Sequence, residues 1–207
     1  MTASRAALVS ISLIACLLAA ACAGQRAWRA TPDRPVMGLY KGRLEQPSGD
    51  SHRFRLLLFA ELPDRMHGEL LSPLGSPQMI VDGGAGELAI TLVRRGLSYV
   101  GRSDPDVMER LVGVRLTLEG LVRAVLEGQV SGGGHQVSRS GEERRGLPER
   151  LEIRSAGSRL TLELKQLLPV RAPAGELGTG RPPEGMELRP LDELDREGRP
   201  LSGKGGS

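Results

Sequence analysis

The chain has 207 residues, 28 Lys+Arg against 25 Asp+Glu, a net charge of +3, and 39% hydrophobic and 26% charged residues. This is a globular balance, which excludes both wholesale disorder and a polytopic membrane protein. Aromatic residues are 2%, namely Trp28, Tyr40, Phe54, Phe59 and Tyr99. The core must therefore be aliphatic, and platforms for stacking single-stranded nucleic acid are nearly absent, so no nucleic-acid partner is expected.

At the N-terminus Arg5 precedes an uncharged run over residues 6–21, shorter than the roughly 20 residues of a membrane-spanning helix. The run ends in Ala19-Ala20-Ala21-Cys22. Such an ending resembles a bacterial lipoprotein signal, in which the cysteine becomes the first mature residue and carries the lipid. Residues 1–21 are accordingly expected to be a signal peptide and Cys22 the lipidated residue. Leu13-Ile14-Ala15-Cys16 fits the lipobox more strictly, but lipidation at Cys16 would leave Leu17 and Leu18 at the mature N-terminus. An ordinary secretory signal cut nearby stays open as an alternative. Several acyl chains on Cys22 would exceed what stable anchoring needs. Ala23 and Gly24 are neutral, so an outer-membrane location facing the periplasm is expected. Residues 22–35, with Pro32 and Pro35, read as the lipidated N-terminus and a tether.

Residues 36–168 carry nearly all the periodic apolar pattern and read as one domain. Residues 53–62 place Phe54, Leu56, Leu58, Ala60 and Leu62 on one face, residues 87–93 place Leu88, Ile90 and Leu92, and residues 159–165 place Leu160, Leu162 and Leu164. A period of two marks strands with one buried face. Weaker strand candidates are 38–46, 66–72, 78–82, 97–101, 136–140 and 151–154. The connectors hold turn residues, as in Pro47-Ser48-Gly49-Asp50, Pro63-Asp64, Asp82-Gly83-Gly84 and Arg95-Gly96. Short links between successive strands predict an antiparallel meander.

Two stretches break this period. Ser103-Asp104-Pro105-Asp106 offers a helix cap and a first-turn proline, after which Val107, Met108, Leu111 and Val112 follow at helical spacing until Gly113. Thr117 caps a second helix with Leu118, Leu121, Val122 and Val125 on one side, ending at Gly128. The two helices can cover one concave face of the sheet or pack to its side, and only covering encloses an apolar space. Residues 169–207 combine proline, glycine and dense mixed charge, and read as a disordered tail.

This order, with several local strings, resembles the LolA/LolB lipoprotein-carrier family, on its LolB (outer-membrane lipoprotein receptor) side, as a divergent member. The likeness covers most of residues 38–168 and is densest over 70–128. Leu70-Leu71-Ser72-Pro73-Leu74-Gly75-Ser76 is similar to the family's strand–P-L-G–strand segment. Ser98-Tyr99 through Leu111-Val112-Gly113 is similar to its tyrosine-containing strand and first inserted helix, and residues 118–128 to its second. Leu147-Pro148-Glu149-Arg150-Leu151-Glu152-Ile153 with the strand over 160–168 is similar to its closing hairpin.

The resemblance implies a mainly β fold with inserted helices, an incomplete antiparallel β-barrel lidded by two short helices. It implies a cavity for the acyl chains of lipoproteins handed over by a periplasmic carrier, and delivery of that cargo into the outer membrane. The expected lining is Phe54, Leu56, Leu58, Leu70, Leu88, Ile90, Leu92, Met108, Leu111, Leu121, Val125, Leu160, Leu162 and Leu164. By the P-L-G match, Leu74 falls on the family's membrane-insertion loop. Pro73 and Pro77 cannot donate to a ladder, so this stretch must project or bulge.

Enzyme signatures are not found: there is no G-x-S-x-G, no G-x-x-x-x-G-K-[ST] and no H-E-x-x-H. His52, His67 and His135 have no metal-type spacing, and Asp82-Gly83-Gly84-Ala85-Gly86 reads as a hairpin turn. No enzyme, cofactor or metal is expected, and the protein is read as a monomer. The alternative to an acyl-binding receptor is a non-catalytic envelope accessory lipoprotein that binds another envelope protein. An aliphatic cavity of several hundred cubic ångströms would favour the first, a closed core the second.

Overall fold

The computed structural model describes residues 35–130, 134–155, 157–170 and 176–194. The signal segment, Cys16, Cys22 and the tether up to residue 34 lie outside the described residues. Alternating apolar residues build nine strands in the main domain: β1 (Val36–Glu45), β2 (Ser51–Glu61), β3 (Arg65–Leu71), β4 (Pro77–Gly84), β5 (Glu87–Leu92), β6 (Leu97–Arg102), β7 (His135–Arg144), β8 (Leu147–Ser155) and β9 (Ser158–Leu168). Two helices, α1 (Pro105–Val112) and α2 (Leu118–Glu127), stand between β6 and β7, and β10 (Glu187–Pro190) follows the domain. All ten strands form one open, curved sheet in the order β10-β6-β5-β4-β3-β2-β1-β9-β8-β7. The meander β1–β6 and the meander β7–β9 are joined by the antiparallel pair β1·β9.

The register places the expected apolar residues on a common inner face. Leu58 lies opposite Gly68, Gly68 opposite Val81, and Val81 opposite Ile90. Across the other junction, Tyr40 lies opposite both Leu56 and Leu164, and Leu44 opposite Leu160. Gly42 faces Phe54 across the β1·β2 ladder, and a Cβ on Gly42 would stand 2.0 Å from the Phe54 ring. Only hydrogen at that position lets the ring lie across β1.

Both helices cover this inner face. The Asp104 carboxylate accepts from the Val107 amide at 2.8 Å, Pro105 occupies the first turn, and Gly113 ends α1 in the left-handed conformation. The Thr117 hydroxyl accepts from the Gly120 amide at 3.0 Å to start α2. Leu118, Leu121, Val122 and Val125 of α2 and Val107, Met108 and Leu111 of α1 are buried in one core with Leu58, Leu88, Ile90, Leu160, Leu162 and Leu164. Packing of two apolar helix stripes against one apolar sheet face supplies most of the burial that drives folding.

The tail departs from expectation. Within 169–207, read from sequence as disordered, residues 176–194 are folded. Strand β10 pairs with β6 in parallel, Glu187 opposite Leu97 and Pro190 opposite Val100, so the sheet is not wholly antiparallel. Leu191 and Leu194 are buried in the core, and Gly101 leaves room for Leu191, whose Cβ a Gly101 side chain would meet at 2.7 Å. The reason is local pairing: a free edge at β6 offers backbone partners that outweigh the ordering entropy of a few residues.

Candidate functional site

The helix-covered face retains a small apolar cleft of about 80 Å³. Its walls are Leu44, His52, Phe54, Leu56, Leu58, Met66, Gly68, Leu70, Met79, Val81, Leu111, Leu121, Val125, Leu160 and Leu162. Phe54, Leu56 and Leu70 are only half-buried, and with His52 they mark the open side. A Cβ on Gly68 would approach nothing closer than the Leu56 methyl at 3.4 Å, so the missing side chain there is part of the space.

Nine of the residues expected to line a cavity do so: Phe54, Leu56, Leu58, Leu70, Leu111, Leu121, Val125, Leu160 and Leu162. Five do not. Leu88, Ile90, Met108 and Leu164 lie in the closed core, and Leu92 packs against it half-buried. They share the inner face, but Leu118 at the start of α2 closes on Gly83 beside Leu88, and Leu191 closes on Gly101, whereas the cleft is bordered by β1–β4 and β9. Alternation identifies a face and says nothing of where along it two layers part. Leu44, Met66, Met79 and Val81 were not expected as lining; their strands alternate less cleanly.

The Leu74 loop stands at an end of the sheet that also supplies cleft walls. Leu44 near the end of β1, His52 and Phe54 at the start of β2, Leu70 at the end of β3, Met79 at the start of β4 and Leu160 at the start of β9 all belong to this rim. The β3–β4 connection closes with the Ser72 amide donating to the Ser76 carbonyl at 2.8 Å and the Gly75 amide to the Ser72 carbonyl at 2.9 Å. The Ser72 and Ser76 hydroxyls bond at 2.8 Å. Arg55 Nη1 donates to the Pro73 carbonyl at 3.3 Å, which ties the loop to β2. Leu74 at its tip is 97% exposed, so it is no part of the core.

On the opposite, outer face a polar cluster emerges that sequence reasoning missed. Asp82 does not lie in a turn; it is a buried residue of β4, beside His67 on β3. His67 Nδ1 is 2.8 Å from Asp82 Oδ2 and Nε2 is 3.2 Å from Glu69 Oε1. The Asp82 carboxylate also accepts the backbone amides of Gly178 at 3.0 Å, Thr179 at 2.6 Å and Gly180 at 2.7 Å. Gly178 has φ +66°, and a Cβ there would stand 2.8 Å from the Met66 amide nitrogen, so this clasp requires glycine. Burial opposes charge on both groups. The hydrogen bonds from Asp82 and Glu69 nevertheless raise the His67 pKa to about 9, and those from His67, Gly178 and Gly180 hold Asp82 below the usual carboxylate range. The shift favours the charged imidazole at neutral pH, with both nitrogens engaged. Chemically the cluster is a latch that fastens residues 177–180 to the sheet. The only sequence signal for it was the pair of glycines in Gly178-Thr179-Gly180.

Among the described residues no group of three or more His, Cys, Asp or Glu side chains could hold a metal ion. No helix among them is long and apolar enough to cross a membrane. Comparison with protein-family models and with curated proteins finds no match for the chain.

Proposed function

We propose that the protein is a lipid-anchored receptor at the periplasmic face of the outer membrane that takes up acyl chains of lipoproteins from a periplasmic carrier and releases them into the bilayer. The observation that carries this reading is a shared end of the sheet: Leu70 and Met79, which border the apolar cleft, lie at the ends of the two strands joined by the loop of the exposed Leu74. A chain leaving the cleft would emerge where the loop meets lipid, and acylation at Cys22 would hold the domain within reach. The resemblance to the LolA/LolB family supports the same reading, as does the wholly aliphatic and aromatic character of the cleft apart from His52 and Gly68.

A cleft of about 80 Å³ is smaller than pockets that enclose drug-sized ligands, about 300–1,000 Å³. Uptake of an acyl chain thus requires Phe54, Leu56 and Leu70 to turn aside at the open side. The same size favours the second reading, an accessory lipoprotein with a closed core whose partner is another envelope protein.

Gly68→Leu separates the two. Its side chain would grow into the cleft, since the nearest atoms leave room for a Cβ. The chain from Ala23 onward, without signal segment or anchor, should bind a fluorescent fatty-acyl probe saturably, and adding Gly68→Leu should weaken that binding at least about tenfold while unfolding stays cooperative. Absence of saturable binding by the parent protein supports the accessory reading, and equal binding by both proteins removes the cleft from the mechanism.

A further inference from the structure

The outer face of β1, β2 and β9 carries an open groove of about 700 Å³ at the same rim. Six cationic side chains border it, Lys41, Arg43, Arg53, Arg55, Arg150 and Arg159, against two carboxylates, Glu45 and Glu163. The strand register makes this concentration unusual. Lys41 lies directly opposite Arg55, and Arg43 directly opposite Arg53. Like charges facing across the β1·β2 ladder oppose folding, and they are offset only in part from β9, where Glu163 lies opposite Lys41. Glu45 is already shared by Arg43 at 3.0 Å and Arg159 at 3.2 Å. Glu163 is bound by Lys165 at 2.9 Å, which with Arg150 and Lys41 holds its carboxyl below the usual range. Arg55 donates to the Pro73 carbonyl rather than to a carboxylate, and Lys41 acts on Glu163 only as one of the nearby charges that lower its pKa.

From this surface we infer a docking site for an anionic phospholipid bilayer, with the cations of β1 and β2 on lipid phosphates and Leu74 entering the boundary beside them. Leu71 at the end of β3 and Pro73, the residue before Leu74, also line the groove, so the cationic face reaches the base of the apolar tip. Cations beside an exposed apolar side chain are the pattern of interfacial membrane binding, and arginine forks match phosphate oxygens. An acidic protein would use the cations but would give the exposed leucine no apolar partner of its own. The inference rests on the proposed function only for the bilayer contact of Leu74. It adds a second contact: the cations of the outer face meet lipid together with Leu74 at the rim.

The test compares vesicles of phosphatidylcholine with vesicles of equal parts phosphatidylcholine and phosphatidylglycerol, using the chain from Ala23 onward so that neither the signal segment nor the acyl anchor masks the effect. Binding should favour the anionic vesicles, and added salt should erase the preference. Combined Lys41→Gln, Arg53→Gln and Arg55→Gln should reduce it by about fivefold per side chain removed. Arg144→Gln with Arg145→Gln, exposed at the opposite rim, should leave it in place. Circular dichroism and acyl-probe binding of the triple variant should match the parent, and Gly68→Leu should not change vesicle preference, so failure of the cleft and failure of the face are told apart. An unchanged preference in the triple variant, or an equal loss in the Arg144/Arg145 control, overturns the docking face.

Discussion

The two faces of the one sheet are built by different rules. The inner face is a repeating aliphatic surface, and each residue on it is buried by a neighbour two positions along or one strand away, with two amphipathic helices over the top. The outer face is organised by charge, and its strongest element joins residues far apart in sequence, with Asp82 holding Gly178, Thr179 and Gly180. Apolar burial is non-directional, so many sequences satisfy the inner face. The outer clasp depends on one carboxylate and on three amides pointed at it. Substitutions at the two faces should therefore differ in kind as well as in size.

The largest effect is expected at the clasp. Asp82→Ala leaves the His67 cation with Glu69 alone and removes the acceptor of three backbone amides. Breaking one partner of a buried ionic network costs roughly 3–5 kcal/mol. Because the loss falls on one segment, the cost should show as detachment of residues 176–194. Limited proteolysis should cut near Gly178 while the inner face, followed by denaturant unfolding of the remainder, stays cooperative. Uniform destabilisation with no preferred cleavage would mean that the clasp belongs to the core and that the two faces are not separable.

The same contrast explains what the sequence made legible. Strands β1–β9 and both helices could be read because each announces itself locally: alternation in β2, β5 and β9, a cap and a stop around each helix. The projecting Leu74 was readable because proline, glycine and serine surround one leucine. The extent of the cleft was not, because Leu88 and Leu58 share a face and a pattern but differ in what lies over them. Strand β10 was illegible because Glu187–Pro190 has no alternation of its own and is a strand only where β6 offers an edge. The paired cations of β1 and β2 were visible as residues, but their opposition depends on register, which composition does not contain.

An intermediate effect is expected from pH, again on the outer face alone. The His67 pKa is raised from 6.5 to about 9, so its contribution is fully present below pH 6.5 and is lost as the pH rises through 9. Asp82 is lowered from 3.8, so its contribution is present above that value and lost as the pH falls below it. The clasp should be tightest between these limits. Hydrogen-exchange protection of the Gly178, Thr179 and Gly180 amides should decline on both sides, by roughly 1–3 kcal/mol on the alkaline side after allowance for solvent screening. Protection of inner-face amides such as those of Leu58 and Ile90 should not follow. If it does, the latch and the core open as one unit.

The smallest effect on stability is expected at Leu74, where the proposed function predicts one of the clearest effects on activity. Leu74 is 97% exposed, and the loop is closed by Ser72, Gly75 and Ser76 and braced by Arg55, none of which uses the leucine side chain. Leu74→Glu should therefore shift unfolding by no more than about 0.5 kcal/mol. Burial of a leucine in an apolar medium stabilises by roughly 1.5–3 kcal/mol, and a carboxylate at the same tip opposes entry instead. One side chain cannot hold a domain on a membrane, but under the proposed function it would act beside an acyl anchor at Cys22. The variant should keep acyl-probe binding and lose transfer of a bound acylated protein into liposomes. Normal transfer by Leu74→Glu would remove the loop from delivery, whereas a large loss of stability would mean that the tip folds back onto the rim in solution.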